Sequence, residues 1–190
     1  MSQLGTLQGT GWTPRPHLPP DIGWSKRLDD GTVVRIRPIG AQDAELELDF
    51  LNRLSPEMRS LRFLGLIQEP CPDVARRLTH LDPANAAGFI ALVSDAGRDR
   101  QIGAAHFHAN AKGDGCDCSV TVSDEWQKRG VGSALMRLLI QAARARGIRR
   151  LRAFAPASSD GSHHLAARLG FERKLDLQDP AVEVYNLTLK

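Results

Sequence analysis

One passage limits this chain more than any other. Val120-Thr121-Val122 is a β-branched run, Ser123 to Arg129 is a polar turn, and Gly130-Val131-Gly132 opens an apolar helix. A strand that passes through a glycine-containing turn into a helix is a ready seat for a phosphate. The first helical N–H groups lack partners, the helix dipole is positive there, and glycine keeps Cβ atoms out of a ligand's way. Lys128 and Arg129 add charge at the same spot. Two commoner phosphate loops are excluded. A Walker A loop needs Gly-Lys-Ser/Thr, and a dinucleotide fingerprint needs a third glycine and a later acidic residue. The remaining alternative is a glycine turn that merely starts a helix.

A chain of 190 residues fits one domain with a substantial core. Its net charge of +3 suits a phosphorylated ligand but is too small to imply nucleic acid. Cys71, Cys116 and Cys118 have no framework spacing, so a reducing compartment is expected. No apolar run approaches roughly 18 residues, and the N-terminus lacks a signal pattern. The expectation is a soluble cytoplasmic protein without a membrane partner. Residues 1–27 hold Pro14, Pro16, Pro19 and Pro20 with Trp12 and Trp24 in no periodic order. They read as an extended arm lying along the domain or across the partner of a homodimer, or shielding an apolar groove when substrate is absent, with residues 28–190 as the single domain.

From Gly31 strand and helix signals alternate. Thr32 to Pro38 predicts a first strand; Asp43 and Ser55-Pro56-Glu57 open two helices. Phe89 to Val93, Ile102 to His108 and Cys116 to Val122 predict strands two to four as an antiparallel meander, turned at Gly97 and at Asp114-Gly115. Val131, Ala134, Leu135, Leu138, Leu139 and Ala142 form one helical stripe that Gly147 ends. Leu151 to Ala155 gives strand five, parallel to strand four through that helix. A shorter helix ends at Leu169-Gly170, and Val182 to Leu189 closes the sheet. The fold class is therefore mixed α/β, with helices on both faces of a mostly antiparallel sheet of six to seven strands.

Gln127-x-x-Gly130-x-Gly132 resembles the acetyl-CoA loop of the GCN5-related N-acetyltransferase (GNAT) family, whose pattern is Gln/Arg-x-x-Gly-x-Gly/Ala at the start of its longest helix. The resemblance covers roughly residues 31 to 190 and is closest to the bacterial protein-lysine acetyltransferase branch. Arg35 to Pro38 sits where the family begins its first strand. Leu54 to Phe63 is similar to that branch's acceptor-side helix, and Leu165 to Phe171 to the closing motif.

This resemblance implies that strands four and five splay apart and that pantetheine lies between them like an added strand. Val120 and Val122 then supply backbone bonds to acetyl-CoA. The N–H groups of Gln127, Lys128, Arg129, Gly130, Val131, Gly132 and Ser133 hold its pyrophosphate, and Ser159 stands where an asparagine often contacts it. Asp117 falls where the branch usually carries a glutamate base, one methylene longer. A carboxylate in that cleft would have its pKa raised by desolvation. The ordinary alternative is a polar strand residue near a hairpin turn. Ala166 replaces a tyrosine that many members use to protonate the thiolate, so no general acid is assigned.

Alternation puts Asp117, Ser119 and Thr121 on one face and Cys116, Cys118, Val120 and Val122 on the other. His106 and His108 with Cys116 and Cys118 have the residue types of a zinc site, but satisfied core groups are the stronger reading and no metal is expected. A histidine in the cleft would be a second candidate base. Arg59, Arg62, Arg76 and Arg77 either solvate helix faces or, lining the groove, favour an acidic acceptor. The expected function is acetyl-CoA-dependent transfer of an acetyl group to a primary amine, on a protein lysine or a small molecule. The alternative is an acyl-CoA-binding sensor or regulatory module without turnover.

Overall fold

The computed structural model describes residues 13–14, 24–67, 69–176 and 179–189. Their strands form one sheet in the order β1-β2-β3-β4-β5-β6-β7-β9-β8. The strands are β1 (Thr13–Pro14), β2 (Trp24–Arg27), β3 (Val33–Pro38), β4 (Ala86–Asp95), β5 (Arg98–Ala109), β6 (Gly115–Val122), β7 (Arg150–Pro156), β8 (Glu172–Leu175) and β9 (Val182–Thr188). Five helices complete it: α1 (Ala44–Arg53), α2 (Pro56–Phe63), α3 (Pro72–Thr79), α4 (Val131–Ala145) and α5 (Asp160–Leu169). All neighbours are antiparallel except β6 and β7, which α4 connects.

The mixed class, the meander and the single parallel pair agree with the sequence reading, while the nine strands exceed the expected six to seven. Trp24–Arg27, the last residues of the expected arm, pair with β3 as β2, and Trp24 meets Phe89 edge-on at 5.8 Å. Residues 1–12 and 15–23 lie outside the described residues. Strand β8 gives no alternating signal because all four residues are exposed. Helix α3 was also unanticipated: Pro72 at its first turn and Asp73 beside it are its local start signals, but it buries only Ala75 and Thr79. The β4–β5 hairpin turns at Ala96 and Gly97, both with positive φ, as a two-residue hairpin demands. The β5–β6 turn is centred earlier than Asp114-Gly115. Gly113 takes the left-handed position, and Gly115 is already in β6, accepting from Asn110 N–H at 2.8 Å.

Helices cover both faces. Under α4 and α5 a core runs through Ile36, Phe89, Ala105, Phe107, Cys118, Leu135, Leu139 and Leu151. On the other face Phe50 and Leu51 of α1 and Leu54 just after it pack on Ile90, Leu92 and Ala104, with Met58, Val74 and Leu78 around them. Asp43 stands at the N-cap position of α1, yet its carboxylate does not cap that helix. It accepts from both Arg37 Nη atoms at 2.7 Å and from Gly40 N–H at 2.8 Å.

Gly88 in β4 lies where His106 crosses the sheet face. A Cβ there would stand 2.7 Å from His106 Cδ2 and 2.7 Å from Ile39 Cγ2. Overpacking of this kind costs about 1–3 kcal/mol. Gly88→Ala is therefore expected to lower the denaturant midpoint without changing the slope of unfolding, and an unchanged midpoint would show that the His106 ring is not held there.

Candidate active site

Strands β6 and β7 pair only at Gly115 with Arg150, Cys116 with Leu151 and Asp117 with Arg152. Beyond Asp117 they diverge, because β7 follows β9 along its whole length while β6 follows β5. Ser123 N–H bonds Ile102 O at 3.0 Å and Gly115 O accepts from Asn110, so odd-numbered residues of β6 turn their backbone toward β5. By alternation the backbone groups of Val120 and Val122 face the opening toward β7.

The loop after β6 is a tight, braced structure. Asp124–Trp126 is a short 3₁₀ turn, Lys128 has φ 58° and Gly130 φ 84°, and the first intrahelical bond of α4 runs from Ala134 N–H to Gly130 O at 3.1 Å. The N–H groups of Val131, Gly132 and Ser133 precede that bond, so they lack intrahelical acceptors. The N–H of Gln127 is instead engaged with Asp124 O at 3.3 Å. Ser55, which caps α2 through Met58 N–H, donates its hydroxyl to Asp124 at 3.0 Å. Gln127 Nε2 reaches Met58 Sδ at 3.2 Å, tying the loop to α2. Arg129 stacks over Trp126 at 4.4 Å and pairs with Asp30. A Cβ on Gly130 would meet nothing within 4 Å but would sit in a left-handed conformation, whereas on Gly132 it would face Val122 and Leu165 at 3.5 and 3.7 Å.

Asp117 sits at the apex of the divergence, opposite His108 on β5 and Arg152 on β7. Its carboxylate is not desolvated as expected from the resemblance: it is 55% exposed and accepts from Arg152 Nε at 2.7 Å and Nη2 at 3.0 Å. Ser159 caps α5, sharing a 2.8 Å bond with the Ser162 hydroxyl. Ala166 is buried against the α4 core. The chain's one tyrosine, Tyr185, donates to Glu183 at 2.8 Å. Glu183 also pairs with His163 at 2.7 Å. His163 and Tyr185, with Ala166, Phe171 and Arg173, border a hollow of about 200 Å³ between α5 and the β8–β9 ribbon. Burial and Glu183 push the Tyr185 phenol well above its ordinary value.

Cross-strand register separates the four zinc-type side chains. Phe107 opposes Cys118, and His106 opposes Ser119, so the histidines face α1–α3 and the cysteines face α4. No three potential metal ligands cluster among the described residues. Burial, helped by Asp117, pushes the Cys116 thiol up to about 12 and Cys118 higher, which leaves both as inert thiols at neutral pH. No described helix is long and apolar enough to cross a membrane.

Sequence reasoning did not reach the buried polar group on the α1–α3 face. Glu47 and Gln101 are both fully buried and hydrogen-bonded to each other. Burial holds the Glu47 carboxyl above its usual range against the pull of Gln101 and Arg62. Burial, with Arg62 and His108 adding to it, takes His106 down to about 3. Only a mid-helix glutamate on the apolar stripe of α1, at a spacing of three to Phe50 and four to Leu51, hints at this from sequence.

The unfolded chain takes up a proton on His106 near pH 6.5 that the folded ring refuses until about pH 3. Its contribution to stability is thus complete above that window and falls as pH drops through it, by up to about 1.4 kcal/mol per pH unit. Glu47 acts in the opposite sense, contributing at low pH and losing stability as pH rises through its raised pKa. Denaturation of His106→Phe across pH 3–6.5 should show a flatter acid limb than the parent. Parallel limbs would contradict the buried neutral imidazole.

With this geometry in place, comparison with known proteins is direct. The acetyltransferase (GNAT) family profile matches residues 51–171. A Pseudomonas aeruginosa protein named acetyltransferase PA5475 is 37% identical over 166 residues, covering 87% of this chain and 89% of that protein. The crystal structure of the GNAT domain of S. lividans PAT superposes with a TM-score of 0.76 at 27% identity, over 87% of this chain and 96% of that one. An N-acetyltransferase from Staphylococcus aureus Mu50 shares the fold at TM-score 0.62 and 20% identity, over 83% of this chain and 99% of that one. The sheet and its helices share the fold of these solved acetyltransferase structures, and the chain belongs to the GNAT family.

Proposed function

We propose that this protein transfers the acetyl group of acetyl-CoA directly to a primary amine, on a protein lysine or a small molecule. The observation that carries the reading is the loss of β6–β7 pairing after Asp117, directly ahead of the unpaired first turn of α4. Pantetheine amides suit the backbone groups of Val120 and Val122. The pyrophosphate suits the N–H groups of Val131, Gly132 and Ser133, with Lys128 and Arg129 as nearby charge. Gln127 contributes by bracing the loop on Met58, and Ser159 by capping α5 beside β7.

An ammonium acceptor must lose a proton before its nitrogen attacks the thioester carbon. Asp117 is the group we assign to take it, at the apex of the opening. Arg152 positions the carboxylate and gives up one oxygen as the acceptor enters; His108, opposite Asp117 on β5, is the group we assign as relay. The amine nitrogen then forms the amide bond, the C–S bond breaks, and the thiolate leaves to be protonated by solvent. The tyrosine position holds Ala166, and Tyr185 is committed to Glu183.

The Arg152 clamp also favours a second reading, an acyl-CoA-binding module without turnover. Asp117→Asn separates the two. The transferase should lose about 10²–10⁴-fold in kcat/KM with acetyl-CoA affinity retained; a parent protein that binds acetyl-CoA yet releases no thiol with any amine would establish the module. For the loop, Gly132→Val keeps an ordinary backbone conformation and adds bulk at the start of α4. It should weaken acetyl-CoA binding by at least about tenfold, or 1.4 kcal/mol, in calorimetry. Unchanged affinity would sink the assignment of the loop.

A further inference from the structure

Behind α5, on the side away from the opening, lies a hollow that acetyl transfer does not use. Leu165 turns toward Gly132 at the start of α4, whereas Ala166 and Ala167 wall the hollow together with Phe171 and Tyr185. In the sheet β7 stands between β9 and the opening, so the two places are separate. The hollow measures about 200 Å³. A dry apolar cavity of about 150 Å³ takes up benzene, so this one has room for a single ring and a small substituent. Its walls suit a ring. Phe171 and Tyr185 are buried, and the two alanines keep free a space that a longer side chain on α5 would fill. Ala167 and Arg173 are exposed, so the mouth is open to solvent between α5 and β8.

The polar groups at this mouth are out of balance, because Tyr185, His163 and Arg173 all lead to one carboxylate. Tyr185 donates to Glu183 Oε2 at 2.8 Å, and His163 Nε2 stands 2.7 Å from the same oxygen without the alignment of a hydrogen bond. Arg173 reaches the other oxygen only at 3.5 Å. Arg173 is 57% exposed, opposes Tyr185 in the β8–β9 ladder, and has no further partner among the described residues. Its remaining N–H donors therefore stand uncommitted beside an apolar floor, and the exposed Leu175 extends that floor two residues along the same face of β8. A planar guanidinium with a free edge takes a carboxylate through two parallel N–H donors. A phosphate would bring a second negative charge toward Glu183, and a cation would meet Arg173 before it met a carboxylate already engaged.

We propose that this hollow binds a small aryl carboxylate, with its ring between Phe171, Tyr185 and the two α5 alanines and its carboxylate on Arg173. The site is independent of the transferase reading, since it shares with the opening only the α5 helix, and uses a different side of it.

Benzoate and benzamide, alike in size and different in charge, are the probes, titrated into the full chain by calorimetry and by NMR. Benzoate should move the Ala166, Ala167 and Phe171 signals and bind about tenfold more tightly than benzamide or better, the worth of one charge-assisted bond. Arg173→Gln should bring that ratio to near one, and Arg173→Lys, which keeps the charge without the planar fork, should recover it in part. Ala167→Leu places a good helix former at an exposed position and fills the hollow, so it should remove binding of both probes while leaving the denaturant midpoint in place. Signals of the hollow that stay still at millimolar benzoate, equal binding of the two probes, a preference that survives Arg173→Gln, or binding that survives Ala167→Leu would overturn the site. Acetyl-CoA is titrated in parallel and should bind Arg173→Gln as it binds the parent. A parent that binds benzoate but not acetyl-CoA leaves this site standing and removes the transferase reading; the converse removes this site alone.

Discussion

The structure depends on where one parallel strand pair stops. Three residue pairs join β6 to β7, and after Asp117 each strand keeps faith with its other neighbour. An unpaired strand edge in the middle of a sheet is costly unless something else accepts its hydrogen bonds. Here Gly132 at the start of α4 stands against Val122 of β6 and Leu165 of α5, so β6, α4 and α5 meet there. The same divergence brings the N-terminus of α4 to the mouth of the opening. Backbone donors, helix dipole and the positive loop then act on one volume, which is the physical basis of the proposed seat for a pyrophosphate with an amide-bearing tail.

The two sheet faces do different physical work. Below α4 the core is apolar, and the buried thiols are pushed too high to react. Below α1–α3 burial acts on ionisable groups and drives them toward neutrality, Glu47 upward and His106 downward. The loop that serves the first face is braced to the helix that covers the second through Ser55–Asp124 and Gln127–Met58. The Asp117–Arg152 pair, half-exposed on both sides, is weak enough to exchange, since such pairs contribute only about 0–1 kcal/mol.

Much of this was legible from residues. The stripe on α4, the meander and the strand-loop-helix order follow from periodicities that burial enforces, and Gly130 from the positive φ that the helix start requires. Two elements escaped: β8 is wholly exposed, and α3 offers only Val74, Ala75 and Leu78 as its apolar side among charged neighbours. At the site, the type and position of Asp117 were readable but its surroundings were not. Arg152 is one of two arginines flanking Leu151, and only the parallel register tells which strand it faces. The charge of Glu47 likewise says nothing of its burial, which comes from the packing of α1 on β5.

The central claim is that acetyl-CoA completes the gap in the sheet and caps α4. Hydrogen exchange at the amides of Val120, Val122, Val131, Gly132 and Ser133, with and without acetyl-CoA, tests it most directly. Protection at all five on binding, with little change along β8 and β9, is the predicted result. Binding that leaves those amides exchanging as before would place the ligand elsewhere and contradict the account.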